Sequence, residues 1–152
     1  MLKKADMASG YVSFASGPTS SLDVQGTSRS NPARFGREGG WVERLKRSSP
    51  PGIVVSTVDV FRDGKGARAD LSAYGDDFAR QRARGLAKDA TVPRIGDRAV
   101  ATELVAPAGE KEFAVAWAFR NASASVTAIG PSLHLANVVA LARKQQAKLA
   151  RN

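Results

Sequence analysis

The 152-residue chain contains no cysteine and one histidine. Without thiols it builds no zinc ribbon, iron-sulfur cluster, disulfide scaffold or cysteine nucleophile, and a single imidazole leaves few metal sites to consider. Long apolar runs are missing too. No segment is apolar for the 20 or so residues that cross a bilayer. The opening Met1-Leu2-Lys3-Lys4-Ala5-Asp6 carries lysines with no hydrophobic stretch behind them, so the chain as written reads as soluble and without a signal peptide. The lack of cysteine suits a cytoplasmic protein and an exported one without disulfides equally well. Acid is scarce relative to base: 14 Asp and Glu against 23 Lys and Arg give a formal charge of +9.

What remains is ordinary globular material, 43% hydrophobic and 24% charged. A chain of this length buries about two-thirds of its unfolded surface in one core, and a single domain over residues 1–152 is expected. Residues 17–38, rich in Ser, Gly, Thr and Asn, read as a loosely structured segment behind a short strand at Tyr11–Phe14. Trp41–Arg47 and the β-branched run Ile53–Phe61 flank Ser48-Ser49-Pro50-Pro51-Gly52, which predicts a hairpin. A first helix spans about Asp63 to Arg84, with Ala67, Leu71, Tyr74 and Phe78 at the spacing of one face and Gly85 as its stop. Strands follow at Arg98–Val105, Glu112–Arg120 and Ala122–Ile129. In the middle one, Phe113, Val115, Trp117 and Phe119 alternate with Ala114, Ala116 and Ala118, giving one bulky and one small face. Ser132 is the expected N-cap of a last helix buried through Leu135, Val138, Val139, Ala142, Gln146 and Leu149. The class is α+β: an antiparallel sheet of five or six strands with two long helices packed on one face.

Several segments carry a resemblance, in order along the chain. They are Leu2-Lys3-Lys4-Ala5-Asp6-Met7-Ala8-Ser9-Gly10-Tyr11, Val58-Asp59-Val60-Phe61-Arg62-Asp63 running into Gly66-Ala67, Ile95-Gly96-Asp97-Arg98-Ala99, Val115–Ala122 and Leu141-Ala142-Arg143-Lys144-Gln145-Gln146. Together the series resembles small exported or lipoprotein-type domains of actinobacteria and is similar to the PsbP-like α+β architecture. Met7-Ala8 and the strong positive charge depart from that pattern. The resemblance implies an extracytoplasmic location, with the signal outside this chain, and implies no reaction.

Three constellations bear on chemistry. Gly64-Lys65-Gly66-Ala67-Arg68-Ala69 has the Gly-x-Gly-x-x-Ala form of a dinucleotide turn, but its neighbours are hairpin strands and Asp63 sits where a phosphate would, so a flexible strand-to-helix turn is the better reading. Lys65 and Arg68 are left as candidates for a simple anion. His134 has no nucleophile or acid placed beside it by sequence, and Asp76-Asp77 point to different helix faces. Asp59 inside an apolar strand reads by default as outward-facing on a half-exposed sheet; facing inward it would need a cationic partner, with Arg62 and Arg98 as candidates. The basic clusters are Arg44, Lys46 and Arg47; Arg80, Arg82 and Arg84 with Lys88; and Arg143, Lys144, Lys148 and Arg151.

These observations favour a non-enzymatic module, extracytoplasmic by the resemblance and otherwise cytoplasmic, that binds a ligand or partner through the open sheet face or the concavity between sheet and helices. Trp41, Tyr74, Trp117 and Phe119 are the candidate contact residues, with Arg44 and Arg120 supplying polar contacts. The alternative is a cationic binder of nucleic acid or another polyanion, using Lys46, Arg47, Lys65, Arg68, Arg80, Arg82 and Arg84. An anionic polymer, a membrane surface or an acidic protein would feel the same field. No cofactor and no metal is called for.

Overall fold

The structure is a computed structural model and describes residues 1–19, 32–105 and 110–151. Seven strands, β1 (Val12–Pro18), β2 (Arg37–Ser48), β3 (Pro51–Phe61), β4 (Ala87–Asp89), β5 (Arg98–Val105), β6 (Lys111–Phe119) and β7 (Ala122–Ile129), form one sheet in the order β1-β2-β3-β7-β6-β5-β4. Every pairing is antiparallel. Two meanders, β1–β3 and β4–β7, meet along the β3–β7 ladder. Helix α1 (Gly64–Ala83) carries the chain from the first meander to the far edge of the second, and α2 (Leu135–Leu149) follows β7.

The expected α+β class holds, but its strand number and layering do not. The seventh strand is β4, three residues paired to Thr102–Leu104, too short to show any alternation in sequence. The two helices pack on opposite faces of the sheet, not on one. Ala67, Leu71, Tyr74 and Phe78 of α1 cluster with Ala114, Ala116 and Ala118, whereas Val138, Leu141 and Ala142 of α2 cluster with Phe113, Val115 and Trp117. The alternation read in β6 therefore distinguishes two buried faces, with the alanines letting α1 approach closely.

Local chemistry explains the element ends. Asp63 caps α1, its Oδ1 accepting from the Gly66 amide at 2.8 Å. A Cβ on Gly64 would stand 2.8 Å from the Arg120 carbonyl oxygen, and one on Gly66 would collide with that of Phe35. Those glycines are thus required by close backbone contact, and inward-facing carbonyl oxygens are poor company for a phosphate. Helix α2 starts later than expected: its N-cap is His134, whose amide donates to Asn137 Oδ1 at 3.0 Å, while the Ser132 hydroxyl receives Arg47. Its buried residues are Val138, Leu141, Ala142 and Gln145, shifted from the expected stripe.

The arm before β1 belongs to the core. Leu2 and Tyr11 are buried, and the Lys148 ammonium holds the Asp6 carboxylate. Of residues 17–38, Gly17 and Pro18 finish β1, Pro32–Phe35 form a 3-10 turn and Arg37 opens β2; residues 20–31 lie outside the described residues.

Candidate functional site

Strand register sorts the side chains into two surfaces. On the α1 side, one row runs Arg44, Val55, Thr127, Ala114 and Thr102, the next Val42, Thr57, Ser125, Ala116 and Val100, and a third Asp59, Ser123, Ala118 and Arg98. This floor is small and hydroxylated. Tyr74 reaches down from α1 to Ser125 Oγ at 3.4 Å, and Ser125 shares a 2.6 Å hydrogen bond with Thr57. Against the default reading, Asp59 faces inward and is buried, and neither Arg62 nor Arg98 holds it: Arg37 Nε donates to it at 2.6 Å and the Thr19 hydroxyl at 2.9 Å. Ion pair and hydroxyl together offset the cost of burying that carboxylate and fasten the start of β2 to the end of β1.

On the α2 side, Trp41, Val58, Ala124 and Trp117 form one row and Gly39, Val60, Ala122 and Phe119 the next. Trp117 is wholly buried, with its indole N–H donating to Gln146 Oε1 at 2.7 Å, so this candidate contact residue is a core side chain. Tyr74, likewise buried, belongs to the interior beneath α1. Trp41 is different. It is 42% exposed, next to Val60 at 39%, and opens a groove of about 500 Å³ between the sheet and the end of α2. Met1, Trp41, Val58, Val60 and Leu149 supply its apolar walls, and Lys3 stands at its rim. The Trp41 N–H already donates to Ser16 Oγ at 3.1 Å, which fixes the ring with its face free. Phe119, half-buried, continues the same apolar row, with the Arg120 guanidinium 4.9 Å over its ring.

A polar anchor stands behind the groove. Glu43 is buried on β2 and accepts from the Ser13 hydroxyl, from the Ser16 hydroxyl at 2.7 Å and from Lys3 Nζ at 3.4 Å. Burial by itself would raise this carboxyl's pKa; the two hydroxyls and the lysine more than offset that and hold it below the usual range. Asp6 behaves alike, with burial outweighed by Lys148, the Lys3 amide and Lys144. On the other side of the sheet, burial raises the Glu112 carboxyl.

The basic candidates are dispersed. Lys46 lies over the Phe14 ring and Arg47 over Tyr11 at the tip of the β2–β3 hairpin. Arg44 is half-buried on the α1 side of β2. Arg80 pairs with Asp77 at 3.2 Å and Arg82 with Asp89 at 3.1 Å, and Arg84 caps the end of α1. Lys65 and Arg68 are exposed near its start. His134 is exposed as an N-cap, and among the described residues no group of His, Asp and Glu is placed to hold a metal ion. Sequence reasoning missed Arg37, Glu43 and Val60. Glu43 falling on the same strand face as Trp41 and Leu45 was a usable signal for the second; Arg37 fell in the segment read as loose.

No protein-family model matches the chain, and no curated protein does. Among solved structures, it is similar to the extracellular domain of PknH from Mycobacterium tuberculosis, with a TM-score of 0.59 over 95% of this chain and 89% of that one, at 16% identity. The likeness is one of fold, and it does not carry the PsbP-like or lipoprotein-type part of the resemblance read from the sequence.

Proposed function

We propose that this chain is a non-enzymatic, extracytoplasmic binding module whose ligand is an anionic amphiphile, its apolar body held in the Trp41 groove. The observation that carries the reading is the groove itself. Its volume lies within the range of small-molecule sites, its walls are apolar, and among the described residues its charged lining side chain is Lys3, whose ammonium also pairs with Glu43. An exposed indole face beside an exposed valine costs solubility and is the kind of surface a ligand covers. The extracytoplasmic part is supported by the motifs shared with exported actinobacterial domains and by the structural neighbour's being an extracellular domain.

The test uses palmitate as probe and Trp41 as reporter, since Trp117 is shielded. Palmitate is expected to shift the emission of the intact protein, and Trp41→Ala to weaken binding about tenfold when both proteins are titrated by calorimetry, on the order of a buried aromatic contact, while leaving the urea midpoint nearly unchanged. Palmitate binding that is absent, or equal in the variant, sinks the ligand assignment. Recovery of the native protein only from the cytoplasmic fraction of its source cells sinks the location.

A further inference from the structure

The opposite face carries a second groove with the reverse chemistry. It has a volume of about 330 Å³ and runs between α1 and β5, lined by Arg68, Leu71, Ser72, Gly75, Asp76, Arg82, Arg98 and Val100. Three guanidinium groups meet one carboxylate there. Among the described residues, the guanidiniums of Arg68 and Arg98, both exposed, have no ion-pair or hydrogen-bond partner, and Asp76 lines the same groove farther along α1. Arg82 already holds a carboxylate, that of Asp89, which is 85% exposed and hence exchangeable. Arg68 and Arg82 are fourteen positions apart on one helix, about 21 Å at the α-helical rise. Between them the floor is apolar and low, from Leu71, Gly75 and Val100. Next to this floor β4 pairs only with Thr102–Leu104, and among the described residues no backbone hydrogen bond joins the preceding loop to residues 98–101, although Ala90, Val92 and Ile95 of that loop pack in one cluster with Ala99 and Ala101.

We infer that this groove binds an extended acidic peptide segment of a partner protein. The Arg68 and Arg98 forks donate to carboxylates at one end and Arg82 does so at the other, with small apolar side chains over Leu71 and Val100. A nucleic acid fits less well. Among the described residues no aromatic side chain lines the groove for its bases, and Asp76 in mid-groove opposes a continuous row of phosphates. A seven-residue strand spans about 23 Å, which matches the distance between the arginines. This inference is independent of the Trp41 groove, which lies on the other face.

Fluorescence anisotropy with a labelled alternating Glu-Val heptapeptide at low salt tests it on the intact chain. Binding is expected, with a Lys-Val heptapeptide silent. Arg68→Ala with Arg98→Ala is expected to weaken binding about tenfold or more, and Lys at both positions to restore part of it. Arg143→Ala, on α2 and exposed, should leave it unchanged. Circular dichroism verifies that the variants fold. The inference is overturned if the Glu-Val peptide does not bind, if Arg143→Ala weakens it as much, or if inorganic polyphosphate of equal charge binds more tightly with the same dependence on Arg68 and Arg98.

Discussion

Strand β6 separates two interiors that differ in kind. Toward α2 it presents Phe113, Val115 and Trp117, met by Leu2, Leu45, Val54, Val126 and Val138 in a large aliphatic and aromatic core. Toward α1 it presents three alanines, and the neighbouring positions on β7 and β3 are Ser123, Ser125, Thr127 and Thr57. One side gains its stability from buried apolar volume. The other gains it from close helix approach, from the hydrogen bonds that Ser125 shares with Thr57 and Tyr74, and from ion pairs, including Asp59 with Arg37 and Asp77 with Arg80. The lesson is that the first side depends on filled volume and the second on clearance, so that large-to-small changes should be felt most on the first and small-to-large changes at the helix contact on the second.

The largest expected effect attacks the bulky side. Trp117→Ala removes the largest fully buried side chain and leaves Gln146 without its donor, and should cost about 3–5 kcal/mol in urea denaturation. Next comes the reverse change one residue away. Ala116→Leu adds volume where α1 lies on the sheet, and should cost about 1–3 kcal/mol through overpacking; a neutral outcome would show that the α1 side holds spare volume after all.

The two sides also differ in their response to pH. Glu43, on the α2 side of the sheet, has its pKa depressed in the folded state, so its contribution is present above the unfolded value and is lost as pH falls through the folded one. Glu112, on the α1 side, has its pKa raised, so its contribution is fully present below the unfolded value and is lost as pH rises through the folded one. Glu43→Gln should therefore flatten the acid limb of a stability profile, and Glu112→Gln the decline above the carboxylate range. The smallest effect is a gain. Gly75 lies in the interior of α1, and a Cβ there would meet only Val100 Cγ1 at 3.9 Å, so Gly75→Ala should stabilise by about 0.5–1 kcal/mol, measured as a rise in urea midpoint.

Much of this was legible in the chain. Six strands and both helices announce themselves by alternation, by β-branched runs and by three-four spacing, and Asp63, Gly64 and Gly66 show their turn chemistry directly. The candidate site was legible only in pieces. Trp41 and Phe119 were singled out as aromatics together with Trp117 and Tyr74, but nothing local distinguishes an indole at the end of a ladder from one a row inside it. Val60 was passed over because an apolar residue in an apolar strand reads as core. Burial is set by what crosses above the strand, and α2 ends at Leu149, just where Trp41 and Val60 emerge.

Composition excluded thiol and cysteine-metal chemistry, and periodicity decided which residues form strands and which face of each helix is apolar. Those are properties of single segments, carried by the backbone geometry of one strand or one turn. The placing of α1 and α2 on opposite faces, the pairing of Asp59 with Arg37, and the division of the positive charge between a hairpin tip, a helix end and the Arg68–Arg98 groove were decided only by tertiary structure. Each depends on segments far apart in the chain meeting across a seven-stranded sheet, and the free energy that selects such meetings comes from long-range packing and charge pairing instead of any local pattern.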